Sequence, residues 1–154
     1  MVLSEAELVQ AVARDRAAGR SIAFANGCFD LLHVGHSRYL QAAAAEADRL
    51  VVAVNDDRSV AGLKGDGRPI LQAADRAEIV AALRGVAYVV VFGDPHVERL
   101  LLLITPDVHC KGTDYTVESV PERAVVAGYG GRTAIVGDTK THATRDLLER
   151  IREC

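Results

Sequence analysis

Five short apolar runs, each followed by a stretch of helical character, constrain this 154-residue chain more than any other feature. Residues 21–26 (SIAFAN), 49–55 (RLVVAVN), 87–92 (AYVVVF), 108–111 (VHCK) and 132–136 (RTAIV) are mostly continuous in their apolar character. Such runs read as strands buried on both faces. Between them lie helical signals. Ser4 and Glu7 make a capping box ahead of Leu8, Val9 and Val12, which predicts an N-terminal helix over about 4–18. An Ala-rich helix is expected from His36, and others over 73–83, 121–129 and 143–152. Asp94 followed by Pro95 reads as an N-cap and first helical residue, so a helix is expected over 96–104. Parallel strands need crossovers of about a dozen or more residues, usually helical and right-handed. The pattern therefore predicts a single doubly wound α/β domain over 1–154. It holds a five-stranded parallel sheet, with its core over about 21–152.

Ligands of such sheets bind beyond the carboxyl ends of the strands. That rule selects the segments 26–36, 55–69, 111–115 and 137–145, and these hold most of the unusual chemistry. Composition narrows the ligand. Eighteen Lys plus Arg against 21 Asp plus Glu give a net charge of −3, so no global field attracts a polyanion. Aromatic residues make up 5% with no Trp, too few for a base-stacking surface, which argues against nucleic acid. A small phosphorylated ligand remains. Cys28, Cys110 and Cys154 have neither zinc-knuckle nor redox-pair spacing, which fits a reducing cytoplasm. The N-terminus carries acids where a signal peptide carries bases, and no apolar run approaches the roughly 20 residues of a membrane span.

The segment Asn26-Gly27-Cys28-Phe29-Asp30-Leu31-Leu32-His33-Val34-Gly35-His36 leaves a buried strand and enters a helix. Gly35 lets a ligand approach the backbone, and N–H groups at a helix start attract anions. His33 and His36, three residues apart, can face one point there. Two imidazoles at a helix N-terminus suit a phosphate whose charge rises during reaction. The alternatives are a metal site, for which His96, His109 and His142 offer no motif spacing, or rings that satisfy nearby backbone groups.

Gly27-x-Phe29-Asp30 followed by His33-x-Gly35-His36 resembles the signature of the cytidylyltransferase-like nucleotidyltransferases, whose H-x-G-H histidines hold nucleotide phosphates. Leu63-Lys64-Gly65 with Arg68-Pro69, Asp75-Arg76, and Lys111-Gly112-Thr113-Asp114-Tyr115 resemble the bacterial branch that adenylylates D-glycero-β-D-manno-heptose 1-phosphate. The resemblance runs from about Ala23 to Ile151 and implies a Rossmann-like nucleotidyltransferase fold. It implies catalytic roles for His33, His36 and Lys64. Nucleotide and phosphate contacts fall to Asn26, Gly27, Cys28, Phe29, Asp30, Gly35, Arg76, Lys111, Thr144 and Arg145, and substrate contacts to Asn55, Arg68, Asp114 and Tyr115.

Several positions carry a second reading. Lys64 in a flexible, Gly-flanked loop can swing onto phosphates or be a solvated lysine. Arg68 holds phosphate or pairs with an acid, and Arg76 supports the phosphate site or lies on a helix surface. Segment 111–115 lines the pocket or is a polar turn with Tyr115 over the core. Asn55-Asp56-Asp57 contributes Asn55 to the substrate or caps a helix. Family members start the final helix with Ser-Thr-Thr or Ser-Thr-Ser, whereas this chain has Ala143-Thr144-Arg145, keeping only the middle hydroxyl. Arg145 can replace a lost hydroxyl with a charge-assisted contact, helped by Lys140, Thr141 or His142.

The resemblance implies transfer of AMP from ATP to a sugar 1-phosphate, with Mg2+ accompanying the triphosphate and Asp30 a candidate ligand. It also implies a homodimer, and a single-domain reading of the chain leads us to expect a separate upstream sugar kinase. Rival readings are a cytidylyltransferase for glycerol 3-phosphate or phosphoethanolamine, and a non-catalytic nucleotide-binding regulator. An NAD-dependent oxidoreductase is disfavoured, because the first turn lacks G-x-G-x-x-G.

Overall fold

A computed structural model describes residues 1–139 and 141–154, so Lys140 lies outside the described residues. In chain order the elements are α1 (Glu5–Ala17), β1 (Ile22–Gly27), α2 (Val34–Ala44), β2 (Arg49–Asn55), α3 (Asp57–Lys64), α4 (Ala73–Ala81) and β3 (Val86–Phe92). There follow α5 (Glu98–Ile104), β4 (Val108–Lys111), a 3-10 turn (Val117–Ser119), α6 (Arg123–Gly128), β5 (Arg132–Ile135) and α7 (Thr144–Glu153). The five strands form one sheet in the order β3-β2-β1-β4-β5, and every pairing is parallel. This is the Rossmann-like, doubly wound sheet that the alternation predicts.

Handedness explains the two layers. The chain first moves outward from β1 through β2 to β3, then returns to β4 and β5 on the other side of β1. Right-handed crossovers made in opposite directions place their helices on opposite faces. Accordingly Leu40 and Ala43 of α2 and Ala77 and Val80 of α4 pack with Ala23, Ala25, Val52 and Val54 on one face. On the other, Leu8 and Val12 of α1, Leu100, Leu101 and Ile104 of α5 and Val126 of α6 pack with Phe24, Val51, Ala53 and Val90. The reversal leaves a crevice between β1 and β4 at their carboxyl ends.

Two expected elements differ. The segment after β2 is a helix, α3, where a loop was expected up to Pro69. Asp56 caps it by accepting from the Ser59 amide at 2.7 Å, and Val60 is buried. Gly62 lowers helix propensity, but a cap and one buried anchor outweigh it, and Gly65 (φ 89°) stops the helix. Lys64 is thus the last residue of a helix. The α5 helix begins at Glu98 without a side-chain cap, since the Asp94 carboxylate accepts from the Arg99 side chain at 2.6 and 2.9 Å instead. A guanidinium nearby outcompetes the amides that Asp94 would otherwise cap.

Candidate active site

The carboxyl ends of the strands open into a cleft of about 1190 Å³. All four segments selected from the sequence line it, through residues such as His36, Lys64, Asp114 and Thr144. Asn26, Gly27, Cys28, Phe29, Asp30, His33, Gly35, Asn55, Arg68, Lys111, Tyr115 and Arg145 also line it, and Arg76 does not.

The histidines sit where β1 hands over to α2. His33 is the N-cap of α2, and its Nδ1 accepts from the Gly35 amide at 3.1 Å. The Nδ1 of His36 accepts from the His33 amide at 3.3 Å. With both Nδ1 atoms accepting, each neutral ring carries its proton on Nε2. The rings stack with centroids 3.9 Å apart, so two N–H donors are held side by side at a helix N-terminus. Gly35 is required for this. A Cβ there would lie 2.9 Å from Cε1 of His33. The Phe29 and His36 rings meet in a T-shaped contact, centroids 5.5 Å apart, which holds the second ring.

The loop that carries these rings is strained and firmly anchored. Phe29 (φ 50°) and Leu31 (φ 52°) have left-handed backbone, costing about 1–3 kcal/mol each. Three anchors hold them in place. Arg76, buried to 1% exposure, donates to the Cys28 carbonyl at 2.5 Å, the Leu71 carbonyl at 2.8 Å and Asp57 Oδ1 at 2.8 Å. Asp30, 2% exposed, accepts from Arg68 Nε at 2.8 Å and from the amides of Ile70 and Leu71 at 2.9 and 3.0 Å. The Thr144 hydroxyl donates to the Asp30 carbonyl at 2.8 Å, which ties the start of α7 to the loop.

These anchors reassign several residues. Asp30 does not fit a magnesium ligand, because its oxygens already accept three N–H donors. Among the described residues no group of three or more His, Cys, Asp or Glu side chains could hold a metal. Arg68 takes the acid-pairing alternative. Arg76 supports the site from behind, and Thr144 spends its hydroxyl on the loop while its amide remains at the helix N-terminus.

Burial raises the Asp30 carboxyl pKa, but the Ile70 and Leu71 amides and Arg68 outweigh it, holding it below the usual carboxylate value. A depressed folded pKa contributes stability that is complete above the ordinary value and lost as pH falls through the folded one. In urea titrations, the stability gap between wild type and Asp30→Asn is expected to be full well above the ordinary carboxylate value of 3.8 and to shrink as pH falls below it. A gap independent of pH would remove the carboxylate from this role.

At the far end of the cleft, Lys111 Nζ lies 3.8 Å from Glu122 Oε2 and 4.7 Å from the centroid of the Tyr115 ring. Its positive charge is therefore partly spent on protein. The Cys28 thiol is pushed up by burial although Lys64, Arg76 and Arg68 oppose this, so it stays a neutral wall of the cleft. Its Sγ lies 3.9 Å from Asn55 Oδ1, and Asn55 donates to Ser59 at 3.2 Å.

Over residues 24–149 the sequence matches the model of a family described as cytidylyltransferase-like. The chain belongs to the cytidylyltransferase-like family. It is accordingly an enzyme of the nucleotidyltransferase class. The chain is 45% identical over 152 residues to the bifunctional protein HldE of Pseudomonas aeruginosa (strain LESB58), covering 99% of this chain and 32% of that protein. Against HldE of Ectopseudomonas mendocina it is 45% identical over 151 residues, covering 98% and 32%. It thus spans about a third of the length of the curated relatives it matches. A lipopolysaccharide core biosynthesis protein from Thermoplasma volcanium shares the fold at TM-score 0.69 and 22% identity, over 79% of this chain and all of that one. Pantothenate synthetase from Thermus thermophilus does so at 0.70 and 19%, over 99% and 70%.

Some parts of this cytidylyltransferase-like site were not legible in the sequence. Glu122 pairs with Lys111 from just before α6, eleven positions away, with no motif to announce it. Tyr39, on α2, donates to the Cys110 carbonyl at 2.8 Å and joins α2 to β4. Gly137 (φ 94°) lets segment 136–139 cross Tyr39, where a Cβ would come within 3.3 Å of its Cα. No helix is long and apolar enough to cross a membrane among the described residues.

Proposed function

We propose that this enzyme transfers AMP from ATP to a sugar 1-phosphate of the D-glycero-D-manno-heptose type, giving an ADP-sugar and pyrophosphate. The observation that carries the reading is the stacked His33 and His36 pair, its two protons fixed on Nε2 at the mouth of the cleft. The resemblance of segments 63–69 and 111–115 to the heptose branch supports the acceptor, as does the 45% identity to HldE proteins.

In this reaction an oxygen of the sugar phosphate attacks the α-phosphorus in line. The new P–O bond forms as the bond to the β-phosphate oxygen breaks, and the electron pair leaves with pyrophosphate. No protein base is needed, because the attacking phosphate is already anionic. The protein positions the two anions and stabilises the charge that develops on the α-phosphate and leaving group. His33 and His36 donate to the α-phosphate region. Lys64 at the end of α3, Arg145 and the amides that open α7 hold the outer phosphates. Magnesium accompanying the triphosphate would supply neutralisation of its phosphate charge, and Asp30, which already accepts three N–H donors, would not be a residue that holds it. Asp114 and Tyr115 face the sugar or ribose hydroxyls.

Pyrophosphate release tests the reading, with each of four nucleoside triphosphates against heptose 1-phosphate, glycerol 3-phosphate and phosphoethanolamine. ATP with heptose 1-phosphate is expected to be the productive pair. Release only with CTP and an alcohol phosphate would move the enzyme to the other branch, and binding without release would make it a regulator. Lys64→Ala is expected to lower kcat/KM for the triphosphate by about 10–100-fold, the size of one charged hydrogen bond. An unchanged kcat/KM would return Lys64 to the solvated surface.

A further inference from the structure

His109 lies on β4 with no exposed surface, and the reaction as proposed gives it nothing to do. Its surroundings ask for an apolar residue. Its side chain packs toward the α1–α5–α6 layer, with the Phe24 ring centroid 6.0 Å away, and its Nδ1 has no hydrogen-bond partner among the described residues. An unsatisfied buried acceptor destabilises the fold, so packing does not explain an imidazole here. The other ring nitrogen does. Nε2 lies 3.1 Å from Oδ1 of Asn26, which is the penultimate residue of β1 and lines the cleft.

Burial, helped by Lys111, holds the pKa of His109 down to about 3, so the ring is neutral and has a single proton. Because Oδ1 of Asn26 only accepts, that proton sits on Nε2 and the bond runs from His109 to Asn26. An asparagine amide can otherwise turn over, presenting oxygen or nitrogen. With its oxygen engaged from below, Asn26 has its NH2 pole to offer to the cleft.

We propose that His109 is a positioning residue for nucleotide binding, locking the Asn26 amide so that its NH2 group donates to an oxygen of the bound phosphates. This rests on the cleft being the nucleotide site. An amide turned the other way would set a carbonyl dipole against an anion, so His109 selects a donor where the ligand is negative.

The test compares wild type with His109→Leu, His109→Gln, Asn26→Ala and the Asn26→Ala/His109→Leu double variant. ATP with magnesium is the probe, its Kd measured by calorimetry without sugar phosphate, beside KM, kcat and melting temperature. His109→Leu is expected to weaken ATP binding about tenfold, with kcat within about threefold of wild type. His109→Gln, whose side-chain N–H can reach the Nε2 position, is expected to recover most of the affinity. Asn26→Ala is expected to match the loss, and adding His109→Leu to it to cost little more, the signature of coupled residues. A His109→Leu protein that binds ATP normally while only its melting temperature falls overturns the proposal, as do losses that add in full. Wild-type protein that binds none of the nucleoside triphosphates overturns the nucleotide site itself, an outcome separate from these.

Discussion

Replacing His36 by alanine is expected to lower kcat by about 10²–10³-fold, the range for removing one preorganised donor to a developing oxyanion. The donor is the Nε2–H, since Nδ1 is spent on the His33 amide. Alanine removes both functions, so the loss mixes chemistry with a loosened start to α2. His36→Asn separates them. Its Oδ1 can occupy the Nδ1 position and accept the His33 amide, while nothing reaches where Nε2 stood. The asparagine variant is therefore expected to melt close to wild type and still lose most of the turnover. Steady-state pyrophosphate release and thermal melts of the three proteins decide it. Wild-type turnover in His36→Asn would mean that the ring serves only to cap the helix, and the transfer mechanism would lose its electrostatic centre.

The largest stability effect is expected at Arg76. Its side chain has no exposed surface and holds two carbonyls and the Asp57 carboxylate, which itself accepts from the Ala73 amide at 2.8 Å and so caps α4. Arg76→Ala takes the donor from both carbonyls, at about 1–3 kcal/mol for each group left unsatisfied, while Asp57, its side chain half exposed, keeps the Ala73 amide and turns to water. For a chain of this length each kcal/mol lowers Tm by roughly 2–4 °C, so a fall on the order of 10 °C is expected. Activity should fall with it, because the Cys28 carbonyl is the anchor nearest the left-handed Phe29. Arg76→Lys should rescue little, since one ammonium cannot reach the three partners that a planar fork spans. Calorimetric melts would measure it. A fall below about 2 °C for Arg76→Ala would show that Asp30 and Thr144 alone hold the loop.

Both expectations concern residues whose importance reads differently in sequence and in space. His33 and His36 were legible because their partners are local, within three positions, on a strand-to-helix turn whose glycine could be read directly. Arg76 read as a phosphate contact, a support for the phosphate site or a surface arginine, and its burial leaves it the support, bonded to the loop and outside the cleft lining. Its partners are 5, 19 and 48 positions away, and no local pattern encodes such pairings. Asp30 illustrates the same gap. A carboxylate in a nucleotide loop invites a metal, but Arg68 and two amides, 38 to 41 positions on, have taken it.

The parallel sheet, its helical crossovers and the end of it at which the cleft opens followed from the sequence by itself. Apolar runs, their spacing and the handedness of L-amino-acid chains leave few alternatives, and each of these signals acts within a few residues or through one topological rule. Only the tertiary structure decided which charged groups line the cleft and which are bonded into holding the loop. That choice depends on which side chains come within about 3 Å of one another, the reach of a hydrogen bond, after distant segments have packed. It turned Asp30, Arg68 and Arg76 into scaffold and set Lys111 against Glu122, while leaving His33, His36 and Lys64 at the cleft.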